Sequence, residues 1–148
     1  MNPDLQIKPF SIIHQSEARL LILEGLGEHW GWIDEEINED LLDIAHSYAE
    51  GHFVLGWLGS TLVATEALVN ESNGVMRIVR MSVKECFRRQ RIGSQMLRHL
   101  IRTAHSYGAI KVVLETTDTW HDVVEFYRSF GFIEVARKNG EVHMELDL

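Results

Sequence analysis

A chain of 148 residues with 45% hydrophobic and 24% charged residues fits one domain, residues 1–148, able to bury a proper core without staples. No run approaches the ~18 apolar residues that span a bilayer, and Met1-Asn2-Pro3-Asp4 reads as no signal peptide. A single cysteine, Cys86, excludes an internal disulfide and suits a reducing cytoplasm; the eight histidines show no metal-binding spacing, so no metal is expected.

The net charge of −8 is unevenly spread. Between Arg19 and Arg77 there is no Lys or Arg, while eleven Asp and Glu fall there. From Arg77 to Arg102 eight basic residues face Glu85 alone. One part of the molecule should attract anions and another cations. Nucleic acid is not expected as a partner, because the arginines gather around one turn rather than along a face with aromatics.

In chain order, Gln6–Ile13 reads as a first strand, with Pro9 suited to an edge. Ser16 can cap a helix whose apolar set breaks at Gly25 and Gly27. The Gly/Trp stretch GEHWGWIDEE fits neither period, so His29, Trp30 and Trp32 are candidates for a substrate-lining loop. Asn38 is the expected cap of a second helix burying Leu41, Leu42, Ile44, Ala45 and Tyr48. His52–Leu58, Thr61–Val69 and Val75–Val83 read as an antiparallel meander turning at Gly59-Ser60 and at Glu71–Gly74.

A helix from Ile92 buries Met96, Leu97, Leu100, Ile101 and Ala104 at 3.6-residue spacing and stops at Gly108. Ile110–Glu115 is a continuous β-branched run, as a central strand covered on both faces should be. Asp118 is the expected cap of a helix through Phe130, and Gly131–Arg137 with Val142–Leu146 form a hairpin turning at Asn139-Gly140. The expected class is mixed α/β. Cys86 is expected to be a buried or half-buried thiol.

Between the fourth strand and the long helix lies Arg88-Arg89-Gln90-Arg91-Ile92-Gly93-Ser94. It sets three guanidiniums beside a helix N-terminus, whose first N–H groups lack intrahelical partners and attract an anion such as pyrophosphate. RRQRIGS after a strand resembles the Gln/Arg-x-x-Gly-x-Gly/Ala signature of the GCN5-related N-acetyltransferases (GNAT), and RMSV before it and EFYRSFGF after the next strand match that superfamily's order.

The resemblance implies an acyl-CoA N-acyltransferase fold: a mostly antiparallel central sheet, flanked by helices, whose fourth and fifth strands splay apart. It implies direct transfer from acetyl-CoA to a primary amine. In this reading Met81, Ser82 and Val83 border the pantetheine, residues 88–94 (Arg88, Arg89, Gln90, Arg91, Ile92, Gly93, Ser94) hold the pyrophosphate, and Tyr127 protonates the leaving thiolate. Trp120, which stands where many members have an asparagine, would stack on the cofactor's arm or shape the acceptor pocket. Arg91 replaces the family's usual first glycine, so its side chain must point outward.

The base is Glu115, with Glu66 as the alternative, and His29 and His121 also in view. Arg77 aligns with the glutamate that serves histone-acetylating members. The acceptor is a cationic small molecule or a protein amine, with no membrane partner and a homodimer left open. The rival reading is a non-catalytic acyl-CoA-binding module that senses the cofactor or regulates a partner.

Overall fold

The structure is a computed structural model that describes residues 3–30 and 36–148, with the side chains of 28–30 and 36–37 outside the description. Its strands are β1 (Leu5–Pro9), β2 (His52–Leu58), β3 (Thr61–Asn70), β4 (Val75–Val83), β5 (Lys111–Thr117), β6 (Ile133–Lys138) and β7 (Glu141–Asp147). Its α-helices are α1 (Gln15–Trp30), α2 (Ile44–Ser47), α3 (Ile92–Ser106) and α4 (His121–Ser129).

The strands form one sheet in the order β1-β2-β3-β4-β5-β7-β6. Every neighbouring pair is antiparallel except β4 with β5. The mixed α/β class and the mostly antiparallel sheet are as expected from the sequence.

One face of the sheet carries α3 and α4. There Leu97, Leu100 and Ala104 pack with Val124, Val112 and Leu114, while Ile92 and Met96 pack with Val54 and Ala64. The other face carries α1, whose Ala18, Leu21 and Ile22 cover Phe53, Leu55, Leu62 and Ala67. The helical spacing read from the sequence of α3 is the one the core uses. Asn73-Gly74 and Asn139-Gly140 turn two hairpins with both residues at positive φ (56° and 78°, 55° and 77°), the conformation their side chains permit.

Several local expectations are corrected, among them the burial of Leu42 and Ala45, which are exposed. The first strand ends at Pro9 on the sheet edge, and a 3₁₀ turn over Ile12–His14 follows. α1 does not break at Gly25 and Gly27. A Cβ at Gly25 would lie 2.9 Å from Ser82 Oγ, so glycine there lets the helix approach β4. Burial of Leu21, Ile22 and Leu23 outweighs its helix penalty of about 1 kcal/mol.

The second helix is kinked, because Asn38 has non-helical angles (φ −120°, ψ 38°) and a 3₁₀ segment covers Glu36–Leu42. Asp43, not Asn38, caps α2 by accepting from the His46 N–H at 3.2 Å. Gln15 holds the join between this segment and α2 by donating to Leu41 O at 2.7 Å and accepting from Ile44 N at 3.0 Å. Finally, Cys86 is exposed rather than buried. Among the described residues no helix is long and apolar enough to cross a membrane.

Candidate active site

β4 and β5 are joined only at their N-terminal ends, where Val75, Met76 and Arg77 pair with Lys111, Val112 and Val113. Beyond that point β4 continues along β3 as far as Val83, and β5 continues along β7 as far as Thr117. The strands therefore diverge, and the facing edges of 78–83 and 114–117 carry main-chain N–H and C=O groups without a sheet neighbour. Such groups need partners. The slot opens into a cavity of about 790 Å³ whose wall includes Met81, Ser82 and Val83 on one side and Glu115 and Tyr127 on the other.

At one end of this cavity lies the arginine turn. A 3₁₀ turn over Glu85–Phe87 leads into Arg88, whose Nε donates to Val83 O at 3.0 Å and ties the turn to the strand. Arg89 and Arg91 then take left-handed conformations (φ 64° and 62°). Arg91 is the N-cap of α3 and supplies no side-chain cap bond, so no side chain of that residue covers the helix's first N–H groups. Its side chain is exposed. An L-residue held left-handed costs about 1–2 kcal/mol, a strain that a glycine here would avoid.

Arg88, Arg89, Arg91, Ile92, Gly93 and Ser94 line the cavity; Gln90 lies in the same turn but does not. Uncapped N–H donors with three guanidiniums are a donor set matched to a pyrophosphate, and the cavity has room for the arm attached to it.

Tyr127 is buried in the wall, between Phe126 and Phe132 in edge-to-face contacts of 5.3 and 5.6 Å. Its hydroxyl meets Met81 Sδ at 3.5 Å, a weak acceptor. Burial first, and then the charge of Glu66, pushes its pKa above the ordinary phenol value, so the hydroxyl keeps its proton at neutral pH. Trp120, and not the expected Asp118, is the N-cap of α4, and it also lines the cavity.

Glu115 stands just past the last β4–β5 pair. The Arg77 guanidinium bonds both its oxygens and reaches Glu71 as well, and His143 Nδ1 is 3.9 Å away. Glu115 borders the cavity and also a second groove of about 360 Å³ on the far side, shared with Glu71, Arg77, His143 and Glu145.

Glu66 is placed differently from Glu115. It is fully buried and does not line the cavity. Trp32 lies outside the described residues, as do the side chains of His29 and Trp30.

Among the contributors that sequence reasoning missed are α1 and Arg80. Ile22, Gly25 and Leu26 of α1 line the cavity, and the pair of glycines in an otherwise helical pattern was the available signal. Arg80 also lines it. This residue sits at φ 55° where β4 bulges, with two residues, Arg80 and Met81, set against Glu66 of β3. Its guanidinium reaches Asp40 and Asn38, and its carbonyl oxygen accepts from Thr65 Oγ1 at 2.8 Å.

The family model described as acetyltransferase (GNAT) family matches residues 16–132. A curated protein of Xenopus laevis, "Probable N-acetyltransferase camello", is 27% identical over 111 residues, 71% of this chain and 50% of its own length. The chain thus spans about half the length of that relative. A GNAT-family acetyltransferase of Staphylococcus aureus Mu50 superposes with a TM-score of 0.89 at 24% identity, over 97% of this chain and 99% of that one. The PaiA N-acetyltransferase of Thermoplasma acidophilum, crystallised with coenzyme A, gives 0.84 at 16% identity, over 97% and 99%. With a family match over most of its length and a sheet that splays between β4 and β5, this chain belongs to the acetyltransferase (GNAT) family.

Proposed function

We propose that the protein binds acetyl-CoA in the β4–β5 slot and transfers the acetyl group directly to a primary amine. The observation that carries this reading is the slot itself, with an uncapped, arginine-rich helix N-terminus at one end and a protonated, buried tyrosine in its wall. Acetyl-CoA supplies an activated acyl carbon and a thiol as leaving group.

The chain's own residues do the rest. The turn from Arg88 to Ser94 holds the pyrophosphate, and the free edge of β4 at Met81, Ser82 and Val83 aligns the arm. Trp120 closes the slot beside that arm. Tyr127 donates a proton to the departing sulfur, and Glu115 takes one from the attacking amine through water. Arg77 and His143 hold the Glu115 carboxylate at the mouth of the slot. The acceptor is a cationic small molecule or a protein amine, entering from the groove that Glu115 shares with Glu71 and Glu145. His29, Trp30 and Trp32 are proposed for its wall, and the cytoplasm as its location.

The test is thiol release from acetyl-CoA across a panel of polyamines, amino-acid derivatives and peptides, run beside calorimetry with CoA. Thiol release with at least one amine is expected. CoA binding without release from any amine would instead make the chain an acyl-CoA sensor.

A further inference from the structure

Glu66 is an anomaly of this fold. It is fully buried, and neither carboxylate oxygen meets a protein partner. It lies on β3 opposite Val54, on the face that carries α3: its neighbours along the strand, Ala64 and Leu68, pack against Met96 and against Leu97 and Leu100. Across the sheet it faces the bulge of Arg80 and Met81. Met81 carries the sulfur that meets the Tyr127 hydroxyl at 3.5 Å. Met81 packs against the cluster that holds Tyr127 and against the one that holds Ala64 and Val54 beside Glu66, so the two buried polar groups, the Glu66 carboxyl and the Tyr127 hydroxyl, both adjoin this residue. A buried polar group without a protein partner is ordinarily satisfied by an internal water bonded to two or more such groups.

We infer that Glu66 is a positioning residue for acetyl transfer: through one buried water its carboxyl holds the Tyr127 hydroxyl and turns it toward the sulfur that leaves CoA. This rests on the general-acid reading of Tyr127 given above. Burial raises the Glu66 pKa to about 9, so at neutral pH it is an uncharged acid that can both donate and accept. Once ionised, it can only accept, and it draws the Tyr127 proton away from the slot.

Among the described residues, the titratable and charged groups on this side include His52 of β2, two residues from Val54, His99 of α3, stacked on His52 with centroids 6.1 Å apart, Tyr107, edge-on to His52 at 6.3 Å, and Arg98 and Arg102 of α3. Burial lowers the pKa of both histidines, so both are neutral where Glu66 titrates.

The experiment compares the wild type with Glu66→Gln, Glu66→Leu and Tyr127→Phe. Urea unfolding of the wild type and Glu66→Gln is followed from pH 5 to pH 9. The wild type is expected to lose stability relative to the variant as pH rises, and parallel curves overturn the inference whether or not turnover is seen. Thiol release is then followed against pH with the best amine of the panel.

The wild-type kcat is expected to fall above pH 9, relative to Glu66→Gln with the same amine. Glu66→Leu should lose roughly 10-fold to 10²-fold in kcat, with Gln recovering part of the loss and KM for acetyl-CoA unchanged. An identical alkaline limb in wild type and Glu66→Gln, or an unaltered kcat in Glu66→Leu, overturns it. Failure of the reading it rests on looks different: Tyr127→Phe would then turn over as fast as the wild type.

Discussion

The guanidinium of Arg80 grips the carboxylate of Asp40, with Nη2 to Oδ1 at 2.5 Å and Nε to Oδ2 at 2.9 Å, forty positions apart in sequence. Tyr48 donates to the same carboxylate at 2.5 Å. These bonds pin the segment after α1 to the β4 bulge, where Arg80 holds a left-handed backbone inside a strand. The strand that borders the slot and the chain beside it are thus fixed to each other by one ion pair.

Burial alone would push the Asp40 carboxyl up, but the hydrogen bonds from Arg80 and Tyr48 outweigh it and hold its pKa below the ordinary 3.8. A depressed folded-state pKa means stabilisation that is present above 3.8 and lost as pH falls through the lower folded value. Asp40→Ala should therefore cost about 1–3 kcal/mol at neutral pH, by leaving a half-enclosed guanidinium short of partners. Urea unfolding of both proteins at pH 7 and at pH 3 checks this. The gap should narrow at the lower pH, and a constant gap would show that the carboxylate's charge is not involved.

Legibility followed the range of the interactions. α3 could be read because its burial repeats with a local period, and the Asn-Gly hairpins because those two residues tolerate positive φ on their own; β5 was expected to be covered on both faces, but its burial alternates and Ile110 lies exposed before it. The continuation of α1 through Gly25 could not be read, since the reason is Ser82 on a distant strand. The join between the 3₁₀ segment and α2 is held by Gln15, and Asn38 and Asp40 are held by Arg80 at the bulge. At the site, the turn stood out as residue types at a spacing, whereas Tyr127 stood out only through the family resemblance. Glu66 and Glu115 looked alike as carboxylates on strands, and only the fold separates a sealed one from one at the mouth of the slot.

The arginine turn gives a binding prediction. A Cβ at Gly93 would sit 3.6 Å from Phe126 and 3.7 Å from Val83, so a side chain longer than alanine must enter the cavity. Gly93→Glu adds bulk and a negative charge where the pyrophosphate is proposed, and should abolish CoA binding in calorimetry. Arg88→Ala should weaken it by about 1.5–3 kcal/mol, the range for bonds to charged groups. Full affinity in Gly93→Glu would remove the turn from the binding site.

Arg91→Gly should move two quantities in opposite directions. Glycine relieves the left-handed strain at φ 62° but adds freedom to the unfolded chain, for a net gain of up to about 1 kcal/mol in stability. It also removes one guanidinium from the turn, so CoA should bind several-fold more weakly. A melting curve and a binding isotherm on the same variant decide; if CoA affinity is untouched, Arg91 makes no phosphate contact.

For Tyr127 the expectation is a split between binding and turnover. Tyr127→Phe keeps the ring between Phe126 and Phe132 and loses only the hydroxyl. CoA affinity should hold while kcat drops by ~10²-fold, the magnitude of general-acid catalysis. Equal kcat values would give the proton-donating task to water.

Glu66 makes a stability prediction that needs no substrate. Its pKa rises on folding from 4.5 to about 9 because burial penalises the carboxylate. Between those values the folded protein keeps a proton that the unfolded chain releases, so the unfolded state binds fewer protons and stability falls as pH rises. Each pH unit in that window costs up to about 1.4 kcal/mol, and the loss is complete above the folded pKa. Glu66→Gln has nearly the same shape and cannot ionise, so its stability should not fall for this reason. Urea unfolding at pH 5, 7 and 9 should show the variant gaining on the wild type at each step. Parallel curves would mean that Glu66 is already ionised inside the fold and that its carboxylate has found a partner.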